Sequence, residues 1–212
     1  MAVPEFYLSA NAKLFVMRRF DRDEQLNPIG FEDMAALMGL GAEQKYSKSY
    51  SAIAKAIRLF CPAQQVQNSL AQLFAIVTLS CIVGNGDAHL KNFGLLYSDP
   101  TQRDARLAPA YDIVNTTAYI PEDVLALTLA GNKSMFASRQ GLLDFAETCG
   151  VAQPGEIIRK QLQALDDFAS FNRANLARDR DGDYVFMAKS PWDVSYQVEK
   201  NPQLTFSATK ER

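Results

Sequence analysis

A chain of 212 residues with 48% hydrophobic composition can bury a sizeable core, either as one large domain or as two small lobes. Its net charge of −2, with no local run of Lys or Arg, excludes a broad electrostatic footprint for nucleic acid. Cys61, Cys81 and Cys149 are odd in number, widely spaced and never in a C-x-x-C arrangement, which argues against a disulfide framework or a zinc knuckle and for a reducing, cytoplasmic setting.

The opening MAVPEFYLSANAK lacks the basic and then apolar regions of a signal peptide. Residues 5–20, EFYLSANAKLFVMRRF, carry two β-rich runs, Phe6 to Leu8 and Leu14 to Phe20, about the turn-forming SANAK, and predict a hairpin. A charged connection, DRDEQLNP, follows. In GFEDMAALMGL, Phe31, Met34, Leu37 and Met38 fall at helical spacing and predict a helix stopped by Gly39 and Gly41. SYSAIAKAIRLF predicts a second helix ended by Pro62.

A third helix is predicted over Ala63 to Val83, apolar all round near its end, delivering the chain straight into Gly84. Its most apolar part, Leu70 to Val83, is interrupted by Gln72, Thr78 and Ser80 and is shorter than the ~20 residues a bilayer requires, so it reads as a buried helix with no membrane partner. FGLLY and RLAPAYDIV then read as strands of a second hairpin around SDPTQRD. Helices close the pattern at about 139–148 and 155–177, the latter with Ile157, Ile158, Leu162, Leu165, Phe168 and Phe171 on one face. Trp192 and Tyr196 are read as docking side chains of the remainder. The expected fold class is α+β: a small β piece, then a mostly helical body interrupted by one hairpin.

That hairpin carries the chemistry. GNGDAHLKN places Asp87, His89, Lys91 and Asn92 within nine residues, and Asp112 follows in APAYD at the far end of the hairpin. Phosphoryl transfer from ATP needs a carboxylate to accept the hydroxyl proton, oxygen ligands for Mg²⁺ and a cation near the transferred group. Asp87, the pair Asn92 and Asp112, and Lys91 match these roles in that order, and one amide plus one carboxylate satisfy Mg²⁺, which keeps several waters. Taken alone, the stretch also reads as a surface turn with an Asn-Gly signal. His89, the only histidine, cannot build a multi-histidine zinc site, and no G-x-S-x-G accompanies it for a serine triad. In ARDRDGDYV, aligning Gly182 with the invariant glycine of a calcium loop puts Ala177 and Ala188 where acids are required, so that segment reads as a turn.

GNGDAHLKN followed by APAYD resembles the catalytic loop and metal-binding segment of the HipA-type kinases, the toxins of bacterial HipBA toxin-antitoxin pairs. LFVMRRFDRD resembles the hinge segment of that family, and QKYSKSYSAIAKAI a further stretch after it. The resemblance covers most of residues 1–120, and it implies a protein-kinase-like fold with an N-lobe remnant and hinge over 1–20 and a helical C-lobe over 21–212. It implies Asp87 as catalytic base, with His89 supporting the phosphate site, and Asn92 and Asp112 as Mg²⁺ ligands. Arg18 to Phe20 would offer backbone groups to adenine, and Asp21 would reach the ribose.

The family phosphorylates serine or threonine on proteins, including aminoacyl-tRNA synthetases, and is held in check by a DNA-binding antitoxin. The expected cofactors are therefore ATP and Mg²⁺, and the expected partners a protein substrate and a HipB-like antitoxin. The chain begins shortly before the hinge, and Lys13 sits in the turn, so the Gly-rich loop, its regulatory serine and the strand lysine of such a kinase are expected on a preceding stretch or another polypeptide. Two rival expectations follow: a catalytically silent, partner-binding subunit, and a Mg²⁺-dependent phosphohydrolase built on the same three residues.

Overall fold

The computed structural model describes residues 1–8 and 15–176. Lys13, the calcium-loop lookalike, Trp192 and Tyr196 lie outside the described residues. Strands β1 (Phe6–Leu8) and β2 (Phe15–Met17) pair antiparallel with Phe6 opposite Met17, as the pattern around SANAK predicts.

The stretch that follows departs from its periodicity. Gly30–Asp33 is not helical but forms strand β3, which pairs antiparallel with β4 (Gly94–Tyr97), Phe31 opposite Leu96. Only one helical turn, α1 (Met34–Leu37), remains, N-capped by Asp33, whose Oδ1 accepts from the Ala36 N–H at 2.9 Å. A helix this short cannot recover its nucleation cost, whereas the β4 edge offers the same residues a backbone ladder. Strand β5 (Arg106–Leu107) completes a three-stranded sheet in the order β3-β4-β5.

The second hairpin is also shorter than expected, because APAYDIV leaves the ladder after Leu107. Ala108 N–H still donates to Gly94 O, but Ala110 N–H goes to Ala2 O, and Asp112 has a left-handed φ of 55° that no strand accommodates.

The helical body follows the predicted order. Helix α2 (Tyr50–Phe60) starts at Ser49, whose Oγ accepts from the Ala52 N–H at 3.2 Å, and turns Tyr50, Ile53, Ala54 and Ile57 inward at three- and four-residue steps. It ends just before Pro62, and α3 (Ala63–Val83) begins at once. By length and composition α3 could cross a membrane, but here it is the spine of the fold, packed by α2, α4 (Ser138–Cys149), α5 (Pro154–Leu176) and β5.

Its Leu70, Leu73, Phe74, Val77, Cys81 and Ile82 are fully enclosed. Each large apolar side chain so buried contributes about 1.5–3 kcal/mol. Phe145 of α4 reaches both Phe74 and Tyr50, ring centroids 6.4 Å apart in each case. The three cysteines are free and buried. A spine fixed on several sides ends at Gly84, so whatever follows Gly84 inherits a fixed origin.

Candidate active site

Gly84 closes α3 at φ 71°, a left-handed position that glycine takes without steric cost, and its N–H donates to Ser80 O. The carbonyl of Gly84 accepts from the N–H groups of Thr116 and Thr117 and from the Thr116 hydroxyl, which in turn accepts from Gly86 N–H at 2.7 Å. Asn85 is buried, and its Oδ1 accepts from Asp87 N–H at 3.0 Å, making the Asx turn that aims Asp87 outward. Gly86 is required for a different reason: a Cβ there would lie 2.8 Å from Val124 O and run into the Asp123 carboxylate. Ala88, Leu90 and Phe93 are buried anchors that fix the loop; His89 and Asn92 between them are buried as well, and only Lys91 is exposed.

Asp87 Oδ1 accepts a 2.6 Å hydrogen bond from the Tyr46 hydroxyl, and His89 Nε2 lies 3.7 Å from the same oxygen. The Tyr46 ring meets His89 edge to face at 5.1 Å. Burial pushes the His89 pKa below its ordinary value, more than the nearby Asp87 charge raises it, so its ring is neutral at neutral pH. The Tyr46 phenol is pushed up to about 12, first by its hydrogen bond to Asp87, then by burial and by the charges of Asp87 and Asp123.

Asn92 is the hub of the site. Its Nδ2 donates to the Asp87 carbonyl and to Asp112 Oδ2, both at 3.0 Å, across the ends of the β4–β5 pair. A second clasp closes the same mouth: the Tyr111 hydroxyl donates to Lys91 O at 2.7 Å. Asp112 itself is held in the left-handed region, a conformation that acids tolerate and that occurs where surrounding structure over-determines it, often at functional sites. With both amide hydrogens of Asn92 engaged, its carbonyl oxygen is the atom left for a cation beside the Asp112 carboxylate.

Among the described residues no group of three or more His, Cys, Asp or Glu is placed to hold a metal by itself. One amide oxygen and one carboxylate suit a hard cation that draws its other ligands from water and phosphate, as Mg²⁺ does.

The remaining predicted residues are placed differently. Lys91 extends to Asp33 Oδ2 at 3.8 Å, toward the carboxylate that caps α1 and not toward Asp87. Phe20 packs on Phe31 and Tyr111, ring centroids 5.7 and 5.3 Å apart, which brings the hinge against the segment carrying Asp112. Arg18 donates its backbone N–H to Glu5 O and its guanidinium to Glu5 Oε2, so that N–H is already used within the β1–β2 hairpin. Asp21 is gripped by Arg19 and by Arg22, and the Arg19 bond above all holds its carboxyl below the usual carboxylate range.

Sequence reasoning brought Asp87, His89, Asn92 and Asp112 into one site but assigned no role to Tyr46, Asp33 or Thr116. Tyr46 lies 41 residues from its partner, and only its place in QKYSKSY marked it.

These features define an α+β fold with a loop-borne acid and a bridged amide–carboxylate pair. The HipA-like C-terminal domain family matches residues 1–169, and the chain belongs to that family. The match runs well past residue 120, so the helices after residue 137 are part of what the family shares. Two curated relatives carry the name "putative kinase". One, from Haemophilus influenzae, is 34% identical over 167 residues (74% of this chain, 44% of the relative), and Y4dM of Sinorhizobium fredii is 32% identical over 137 residues (64% and 32%). A solved complex of Shewanella oneidensis HipA, HipB and operator DNA contains a chain of the same fold, with TM-score 0.56 and 16% identity over 77% of this chain and 46% of that one. The chain thus spans less than half the length of these curated relatives.

Proposed function

We propose that this chain is the catalytic portion of a HipA-like kinase that transfers the γ-phosphoryl group of ATP to a serine or threonine hydroxyl of a protein. The observation that carries the reading is the Asn92 bridge, which ties the main-chain carbonyl of Asp87, whose side chain is fit to be a base, to the carboxylate of Asp112, fit to be a metal ligand. Asp87 takes the proton of the acceptor hydroxyl as the new O–P bond forms and the bond to ADP breaks. Asn92 Oδ1 and Asp112 would hold Mg²⁺, which when bound offsets the charge of the phosphates. His89, kept neutral by burial, adds no positive charge of its own beside Asp87. The aromatic group of Phe20, Phe31 and Tyr111 gives the hinge an apolar wall against which a purine can lie.

Partners follow the same reading. The HipA–HipB–DNA assembly of the structural neighbour supports a HipB-like antitoxin, with DNA contact left to that partner because this chain has net charge −2. Three free, buried thiols fit a reducing cytoplasm. The test is Asp87→Asn, made with the portion that supplies the Gly-rich loop and strand lysine present, on the same polypeptide or a second one. Transfer from γ-labelled ATP should fall by about 10³-fold or more while the unfolding midpoint and Mg-ATP binding by calorimetry are kept. Retained transfer by the variant, or a wild type that does not bind Mg-ATP, overturns the reading.

A further inference from the structure

The segment before α2 and the first residue of that helix clasp the catalytic loop at three points. The Tyr46 hydroxyl donates to Asp87 Oδ1 at 2.6 Å, the Tyr50 hydroxyl donates to Ala88 O at 3.2 Å, and Lys45 O accepts from Leu90 N–H at 3.2 Å. Tyr50 is fully buried and serves the fold, whereas Tyr46 is 41% exposed and spends its only polar group on the acid of the site. Its ring is braced on one side by His89 and lies beneath the Lys45 ammonium, 4.9 Å from the ring centroid. A side chain held this way by ring contacts and neighbouring backbone bonds delivers its hydroxyl to one place.

We propose that Tyr46 is a positioning residue for phosphoryl transfer: its hydroxyl pins Asp87 Oδ1, so that Oδ2 is the oxygen presented to the acceptor hydroxyl. The assignment rests on the kinase reading above. A carboxylate with no partner rotates about its terminal torsion and offers either oxygen at a range of angles, whereas a short O–H···O⁻ bond fixes the plane. Both Tyr46 and His89 converge on Oδ1, and Oδ2 accepts no hydrogen bond from any described residue. The phenol remains a donor throughout the working pH range, because the acid it serves also raises its pKa. Tyr46 therefore neither takes nor gives the transferred proton. It sets the direction in which Asp87 receives one.

Made with the portion that supplies the Gly-rich loop and strand lysine present, Tyr46→Phe tests this directly, because the ring that packs on His89 is kept and only the hydroxyl is lost. Transfer from Mg-ATP to dephosphorylated casein should show kcat reduced about 10- to 100-fold, the range expected when a reacting group loses its alignment. KM for ATP, calorimetric Mg-ATP affinity and the unfolding midpoint should match the wild type. Tyr46→Leu, which removes the ring as well, should lower kcat to a similar degree. A Phe variant with wild-type kcat, or one whose only change is in KM, overturns the assignment, as does phosphate found on Tyr46 by mass spectrometry, which would make the phenol an acceptor. A wild type that neither binds Mg-ATP nor transfers phosphate removes the kinase reading and this assignment together, an outcome read before any variant is made.

Discussion

Two polar stretches, residues 18–23 and residues 84–92, are held in different ways. The 84–92 loop leaves a buried helix at Gly84, is anchored by Ala88 and Leu90, and has its backbone tied to Thr116, Lys45 and Asn92. The hinge stretch relies more on arginine–carboxylate pairs, Arg18 with Glu5 and Arg19 and Arg22 with Asp21, beside a few backbone bonds such as Arg18 N–H to Glu5 O and Asp23 N–H to Asn27 O, and it reaches the site through the Phe20 ring. Exposed pairs lose most of their Coulomb energy to water and to side-chain entropy, while buried backbone bonds cannot be given up without leaving polar groups unpaired. The 84–92 loop is thereby held firmly, whereas the 18–23 side chains can rearrange at little cost.

Substitutions that attack each kind of support put this contrast to the test. The largest effect is expected at the hub of the rigid part. Asn92→Ala removes the bridge from Asp87 O to Asp112 and the amide oxygen beside it, and calorimetry should show Mg-ATP affinity reduced about 10- to 100-fold. Affinity equal to the wild type would mean that the amide–carboxylate pair is not the cation site. A smaller effect is expected where the loop is merely crowded. Gly86→Ala places a methyl group against Val124 O and the Asp123 carboxylate and should cost about 1–3 kcal/mol in chemical unfolding. A cost near zero would show that the loop yields where its backbone bonds say it should not. The smallest effect belongs to the hinge: Arg19→Ala breaks the exposed pair with Asp21 and should leave the unfolding midpoint unchanged within measurement. A clear loss there would erase the distinction between the two stretches.

Much of this protein is legible in the amino-acid order because several elements are locally consistent. The 63–83 helix has no competing signal, and structure and expectation agree on both ends, Pro62 setting the start and Gly84 the stop. α2 is likewise specified by the Ser49 cap and by Pro62. Legibility fails where a local pattern is outbid from a distance. Phe31, Met34, Leu37 and Met38 keep helical spacing, yet β4, more than sixty positions on in the chain, captures Gly30–Asp33 in its ladder. APAYDIV has strand-forming residues but turns away after Leu107 because Asp112 must take a left-handed conformation to meet Asn92.

For the site, the order of residues alone placed Asp87, His89 and Asn92 together, since they share one short loop, and it anticipated Asp112 through the hairpin. It could not tell that Lys91 would turn to Asp33, which becomes its neighbour only when β3 joins the sheet. Nor could it show that the Asp21 carboxylate is already occupied by Arg19 and Arg22. Sequence by itself determined which chemical groups are present, the long apolar spine and the loop it feeds, because these depend on contacts between near neighbours in the chain. Only the tertiary structure decided that a tyrosine 41 residues upstream would reach the Asp87 carboxylate, because that meeting depends on how α2 packs against α3 and where the Lys45 backbone docks on Leu90.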